Sequence, residues 1–328
     1  MAASTESYAG VDLGGTKISA LLGTREGQIL AQGKVETLPS AGPADAFERV
    51  ACLLDRLSQQ CNSDPTAIGV GVPGRVSDTG IIEFLPNLPN EWQGFPAAEF
   101  LRQRTRKPAF LLNDARLAAL GEHSFGSDPR ADNMLVVTVG TGIGGGLILA
   151  GRLWLGVCGA AGEIGHHTII PDGKPCSCGS RGCLETLVSG PTLSATGRFL
   201  ARTGAAPCLA RIVENNWAAI TPREMGMAAI EGDEKVAKAI RKAATYLGIG
   251  IANAVTLTAV DRVVICGGVA ALGELLLEPV RAAVRERVRM FPAGHVHISG
   301  SALGDRVGAL GGLALAFQNS FKLRSARA

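Results

Sequence analysis

Apolar and polar positions alternate from Tyr8 to Leu13, and the pattern resumes from Lys17 to Gly23 after Gly14-Gly15-Thr16. Period-two alternation on both sides of a glycine turn predicts two strands joined by a hairpin, with a third strand over Gln28 to Lys34. The period then changes. Phe47, Val50, Leu54 and Leu57 fall on one face of a helix spanning Pro43 to Cys61. Short apolar runs predict strands at Ile68 to Val72, Ile81 to Phe84 and Ala109 to Leu112. A short helix is expected over Ala97 to Arg104 and another over Ala115 to Glu122, opened by Asn113-Asp114. The loop Pro86-Asn87-Leu88-Pro89-Asn90-Glu91-Trp92 is full of helix and strand breakers and reads as irregular.

The opening pattern then repeats in outline. Leu135 to Val139, the turn Gly140-Thr141-Gly142-Ile143-Gly144-Gly145-Gly146, and Leu147 to Ala150 again read as strand, glycine turn and strand. The uncharged run Met134 to Gly151 has the length of a membrane span, but its glycines divide it into this hairpin. Farther on, Thr192 to Arg202 is helical and the segment to Glu231 has no clear period. Val236, Ile240, Ala244, Leu247 and Ile251 mark one face of a long helix over Asp233 to Asn253. Arg262 to Ile265 is a buried strand, Gly273 to Met290 a helix, His295 to Ser299 a strand and Gly308 to Phe321 a final helix. Two strand–turn–strand units argue for two similar α/β halves facing one cleft.

With 328 residues the chain has room for two ordinary domains. A formal charge of +3 leaves no electrostatic footprint for nucleic acid or acidic lipid. The polar start, Met1 to Ser7, lacks the order of a signal peptide, so a reduced cytoplasmic setting is expected. Cys52, Cys61, Cys158, Cys208 and Cys266 are scattered, and His123, His295 and His297 have no ligand set near them in sequence.

The remaining cysteines cluster. Gly162 to Glu185 holds His166, Cys176, Cys178 and Cys183 in a polar loop rich in glycine and proline. Imidazole nitrogen and three thiolates make one closed tetrahedral set, which suits a structural zinc ion. Ordinary reduced core cysteines need an apolar face to pack against, and this loop has none. A zinc ribbon would need two Cys-x2-Cys knuckles. Glu163 and Glu185 flank the set, where a carboxylate suits hydrogen bonds from a polyhydroxylated ligand, although solvated loop charge reads equally well.

Four further sites carry candidate chemistry. The amides of Gly14 and Gly15, with Thr16 and Lys17, are able to cradle phosphate, and Asp12 is placed to hold hydrated magnesium; a plain hairpin turn is the alternative. Thr141 and Gly142 form the matching turn of the second unit. Gly267-Gly268, ending a buried strand, permits close approach of a flat ring or sugar. Asp114 sits where α/β sheets place ligands, at the end of a strand and the start of a helix, although Asn and Asp also cap helices there.

In their order these segments resemble the ROK family of bacterial sugar kinases and sugar-responsive repressors. The resemblance runs through Asp12-Leu13-Gly14-Gly15-Thr16-Lys17, Pro86-Asn87-Leu88, Asn113-Asp114-Ala115, Gly140 to Gly146, Gly162-Glu163-Ile164-Gly165-His166, and Cys176 to Glu185. It covers nearly the whole chain. The glycine turns are shared with the wider actin and hexokinase superfamily, and the last two motifs are particular to the family.

The resemblance implies a two-lobed actin-like, hexokinase-like (ribonuclease H-like) α/β fold with a ligand cleft between the lobes. One lobe is expected over 1–114 with 309–328, the other over 115–308 with the zinc loop at 163–185. Asp114 is implied as catalytic base, and Asn87, Asn113, Glu163, His166 and Glu185 as sugar ligands. Nucleotide is expected on Asp12, Gly14, Gly15, Thr16, Lys17, Thr141, Gly142, Gly267 and Gly268, and structural zinc on His166, Cys176, Cys178 and Cys183. The implied activity is ATP- and magnesium-dependent phosphorylation of a hexose 6-hydroxyl, most readily glucose, in carbohydrate metabolism and glycolysis, by a homodimer or homotetramer without nucleic-acid or membrane partners. The alternatives are an N-acetylglucosamine, N-acetylmannosamine or fructose kinase, and a non-catalytic sugar-sensing repressor. The repressor is disfavoured because the first hairpin begins at about Tyr8, leaving no space ahead of it for a helix-turn-helix. Arg75, where the family commonly has proline, and His167, where it often has an apolar residue, are the departures, together with Cys266 before the glycine pair.

Overall fold

The computed structural model describes residues 6–85, 89–290 and 292–325, without the side chains of 90 and 321–325. Its elements run β1 (Ser7–Leu13), β2 (Lys17–Thr24), β3 (Ile29–Glu36), α1 (Pro43–Cys61), β4 (Ile68–Val72), β5 (Arg75–Val76), β6 (Ile82–Phe84), α2 (Ala97–Thr105), β7 (Ala109–Asn113) and α3 (Asp114–Phe125). They continue with β8 (Met134–Val139), β9 (Ile143–Leu149), β10 (Arg152–Trp154), α4 (Glu185–Val188), α5 (Gly190–Arg202), α6 (Pro207–Ile212), α7 (Pro222–Ile230) and α8 (Glu234–Thr258). The last are β11 (Arg262–Cys266), α9 (Glu274–Arg287), β12 (His297–Gly300) and α10 (Val307–Ser325).

Two five-stranded sheets have the same order, β3-β2-β1-β4-β7 and β10-β9-β8-β11-β12. In the first, the β1–β2 and β2–β3 pairs are antiparallel, while β4 lies parallel to β1 and β7 parallel to β4. In the second, β9 and β10 pair antiparallel, and β11 lies parallel to both β8 and β12. The repeat of the strand–turn–strand pattern is therefore a repeat of sheet topology.

Contacts divide the chain into Met1–Ala131 with Gly146–Ala161 and Ala302–Ala328, and Asp132–Gly145 with Gly162–Ser301. The lobe boundaries expected after Asp114 and Gly308 cut the chain differently. Helix α3 stays with the first unit because Leu117 and Leu120 pack into one cluster with Ala314 and Leu315 of α10.

In the first unit α1 covers the sheet with Phe47, Val50, Leu54 and Leu57, the face read from the sequence, and Phe47 stacks on Phe95 with ring centroids 5.6 Å apart. Burial of such side chains contributes about 1.5–3 kcal/mol each. In the second unit α8 buries Val236, Ile240, Ala244, Leu247 and Ile251, again as the period requires.

Two expectations are corrected. The turn expected over Gly140 to Gly146 is confined to 140–142, and Gly144, Gly145 and Gly146 lie in β9. Close neighbours explain these glycines better than a turn does: a Cβ on Gly145 would lie 2.6 Å from the Gly162 carbonyl oxygen, and one on Gly146 2.5 Å from the Ala119 Cβ. The segment without clear period before Glu231 contains α6 and α7. Thr221 and Glu224 form a capping box at the start of α7, a local signal that outweighs the weak period. Among the described residues no helix is long and apolar enough to cross a membrane, and the run from Met134 is the β8–β9 hairpin.

Candidate functional site

The C-terminal ends of the parallel strands carry the first group of residues. β7 ends at Asn113 and α3 begins at Asp114, because Asn113 caps the helix: its Oδ1 accepts from the amides of Ala115 at 3.0 Å and Arg116 at 3.2 Å. The Asp114 carboxylate is half-buried, and its Oδ1 accepts from the Ala115 amide at 2.8 Å. Asn113 is thus both the last residue of the strand and the cap of the helix, and Asp114 follows as the first helical residue. Asn113 takes the capping role, which leaves a carboxylate at the first turn of the helix.

At the β1–β2 turn the Gly14 amide donates to the Lys17 carbonyl at 2.9 Å, and Gly15, Thr16 and Lys17 are exposed. Asp12, next to this turn, lies against the start of α10, where a Cβ on Gly308 would fall 2.5 Å from its Oδ2. Protein crowds Asp12 although part of its surface stays open; burial raises its carboxyl above the ordinary range, and Lys17 partly offsets the rise.

In the second unit the β8–β9 turn closes through the Gly140 amide on the Gly142 carbonyl at 2.9 Å. Glu185 reaches it from α4, and its Oε2 accepts from the Ile143 amide at 2.9 Å. The approach requires glycine at 142, since a Cβ there would sit 2.3 Å from that oxygen. The pair after β11 divides in role. Gly267 has φ +91° and a would-be Cβ 2.6 Å from the Val139 carbonyl oxygen, so the fold demands glycine. At Gly268 the Cβ direction is open, with no neighbour within 4 Å.

The cysteine loop folds back through bridges pairing Thr168 with Cys183 and Pro175 with Arg181. This brings one donor atom each from His166, Cys176, Cys178 and Cys183 within 4.8 Å of one another. Cys176 Sγ lies 3.6 Å from His166 Nδ1, and Cys178 Sγ lies 3.7 Å from Cys183 Sγ. Zinc–sulfur and zinc–nitrogen bonds of about 2.3 and 2.0 Å give tetrahedral edges of about 3.5–3.8 Å, so the donor set fits zinc. The thiols are unequal. Burial and the neighbouring thiols push Cys183 up to about 12, while the Ser180 backbone holds Cys178 below its usual value. His166 Nε2, the nitrogen not directed at Cys176, lies 4.0 Å from Glu163 Oε2.

Residues 8–319 match the family described as ROK. The chain belongs to the ROK family. It is 36% identical to a glucokinase of Halalkalibacterium halodurans over 310 residues, covering 93% of each chain. It is 31% identical to a xylose repressor of Caldicellulosiruptor bescii, covering 94% of this chain and 77% of the repressor. Its structure is similar to that of a ROK family glucokinase from Streptomyces griseus solved with glucose and AMPPNP, at a TM-score of 0.85 and 32% identity over 95% of this chain and 99% of that one. The two-lobed actin-like α/β class expected from the sequence is thereby borne out.

Within this ROK chain the structure brings the four metal donors together, ties Glu185 to the second glycine turn and places Asn113 and Asp114 at one strand end. Asn87 lies outside the described residues. Arg75 pairs with Glu83 at 2.8 Å on the surface, and His167 is half-buried, with burial holding its imidazole below the ordinary value. Two features were missed from the sequence. The bond from Glu185 to Ile143 spans 42 residues and has no local signal. Arg116 is 2% exposed on α3, and an arginine interrupting the apolar run from Ala115 to Leu120 was the one signal that could have found it.

Proposed function

We propose that this chain is an ATP-dependent hexose kinase that phosphorylates the 6-hydroxyl of glucose. The observation carrying the proposal is a carboxylate, Asp114, at the first position of α3, directly after parallel strand β7, with Asn113 taking the capping bonds. The similarity to a glucokinase solved with glucose and AMPPNP supports the choice of substrates.

Phosphoryl transfer depends largely on positioning and charge neutralisation. In the proposed reaction the sugar O6 attacks the γ-phosphorus of ATP, the O6 proton passes to an Asp114 oxygen, and the β–γ bridging oxygen leaves with ADP. Asn87, Asn113, Glu163, His166 and Glu185 hold the sugar hydroxyls. The turns at Gly14 to Lys17 and at Thr141-Gly142 hold phosphates, Gly267 and Gly268 admit the nucleotide, and Asp12 would hold magnesium, which would supply charge neutralisation at the phosphates. His166, Cys176, Cys178 and Cys183 would hold a structural zinc ion, which stiffens the loop that carries Glu163 and Glu185. With Nδ1 turned toward the thiols, His166 Nε2 is the nitrogen for a sugar hydroxyl. The proposal includes a cytoplasmic homodimer or homotetramer acting in glycolysis.

The test is ADP release measured with magnesium-ATP across glucose, N-acetylglucosamine, N-acetylmannosamine and fructose. The highest kcat/KM is expected for glucose. A higher value for another sugar would reassign the substrate. Hexose binding without ADP release would favour the sugar-sensing role suggested by the xylose repressor.

A further inference from the structure

Arg116 is among the largest side chains that are fully enclosed in this protein, and none of the expected site residues accounts for it. Its Nη1 donates to Asn113 Oδ1 at 2.9 Å. That oxygen also accepts the Ala115 and Arg116 amides, so three donors converge on it. At the other end of the same amide, Asn113 Nδ2 donates to the Gly74 carbonyl at 3.0 Å. Position 74 demands glycine, because its φ is +135° and a Cβ there would lie 2.2 Å from the Phe84 carbonyl oxygen.

From this geometry we infer that Arg116 is a positioning residue that fixes the Asn113 amide as a pure donor toward the substrate. Asn113 Oδ1 is occupied within the protein by three donors. A side-chain amide nitrogen carries two hydrogens, and the Gly74 carbonyl takes one of them. What Asn113 offers a sugar hydroxyl is therefore its second Nδ2 hydrogen. A flipped amide would turn its NH2 toward three other donors, one of them a buried cation, and lose every bond to them. Donor and acceptor then alternate along the backbone, with Asn113 donating to one hydroxyl and the Asp114 carboxylate accepting from another. The inference rests on the kinase reading above for the identity of the ligand. It goes beyond that reading in naming what orients Asn113 and which half of its amide is used.

The experiment is a double-mutant cycle read in hexose KM and kcat, with melting temperature beside it. Asn113→Ser keeps a residue that caps helices well and removes the Nδ2 donor. Arg116→Met keeps the apolar stem and removes the guanidinium. A hydrogen bond to a charged group is typically worth enough to shift an equilibrium by about tenfold or more, so Arg116→Met alone should raise the hexose KM by roughly that factor. In the Asn113→Ser background the same change should raise it by less than about twofold, since the group that Arg116 orients is gone. Arg116→Lys, which keeps the charge without the planar fork, should recover part of the loss. Equal losses in both backgrounds would make Arg116 merely structural and overturn the inference while leaving the kinase reading intact. Absence of ADP release by the wild-type chain with every hexose would overturn the kinase reading and this inference with it. If Arg116→Met does not fold, Arg116→Lys carries the cycle; failure of both to fold assigns Arg116 to stability and overturns the inference.

Discussion

The turns at 14–16 and 140–142 occupy the same place in two sheets of the same strand order, yet they are held by different means. The first is braced from its own sheet. Thr37, one residue past β3, donates its hydroxyl to the Gly14 carbonyl at 2.7 Å and its amide to the Thr16 carbonyl at 3.0 Å. The second is braced from outside its hairpin. Glu185 accepts the Ile143 amide, and the Gly190 amide donates to the Gly140 carbonyl at 2.8 Å. Both braces lie in the segment that follows Cys183 directly, so order in the four-donor loop is expected to reach the second turn rather than the first. A duplicated topology has acquired two kinds of support: a sheet edge for one phosphate-binding candidate, and the segment after the four-donor loop for the other.

The largest expected effect is one that should leave this difference untouched. Asp114→Asn should lower turnover by about 10²–10⁴-fold, the usual contribution of a general base, with zinc content and melting temperature near those of the wild type. Because Asn and Asp cap helices about equally, near-normal turnover in the folded variant would reduce Asp114 to a helix residue.

Removal of a metal donor should break the symmetry between the turns. Cys178→Ser should weaken zinc binding by at least about 10–100-fold, since changes beyond the ligands alone typically cost that much. Elemental analysis checks the ion, and amide hydrogen exchange checks the coupling. Exchange at Ile143 should quicken while the Gly14 amide keeps its protection. Equal loosening of both turns would refute the separate-support account.

Glu185→Gln isolates the brace from the metal. The amide oxygen still accepts from Ile143, but the bond loses its charge assistance, about half of its strength. A loss of about 1 kcal/mol corresponds to about fivefold, expected in the KM values of both ATP and hexose, with zinc retained. A change confined to hexose would show that the bond to Ile143 carries no functional weight.

The smallest effect belongs to the first turn. Thr37 is fully buried, and Thr37→Val keeps its shape while removing the hydroxyl bond to Gly14. A cost of about 1 kcal/mol in stability is expected, visible as a lower melting temperature, with zinc content and exchange at Ile143 unchanged.

Local pattern made much of this molecule legible. α1 and β4 fall on the expected residues, and β1, β2, α8 and α10 fall within a few residues of expectation, because each is an apolar or periodic run bounded by turn residues. The four-donor set was legible because its chemistry is concentrated within 18 residues of chain, from His166 to Cys183. The start of β9 was not, since glycine is both a turn residue and a residue that allows a close neighbour, and only the positions of Gly162 and Ala119 distinguish the two uses. Asn113 and Asp114 could not be separated into cap and chemical group from the sequence, because both residue types do both jobs.

By itself, then, the sequence determined the period of each element, the repeat of strand, turn and strand, the zinc-competent donor set and membership of the ROK family. Tertiary structure alone decided which residue caps α3, which side chain braces which turn, and that Arg116 is enclosed against the Asn113 amide. The reason is distance along the chain. Period and clustering are properties of neighbouring residues, whereas the pairing of Glu185 with Ile143, or of Asn113 with Gly74, joins positions 42 and 39 residues apart. Such pairs exist only once the sheets have set their register and the backbone has closed around them.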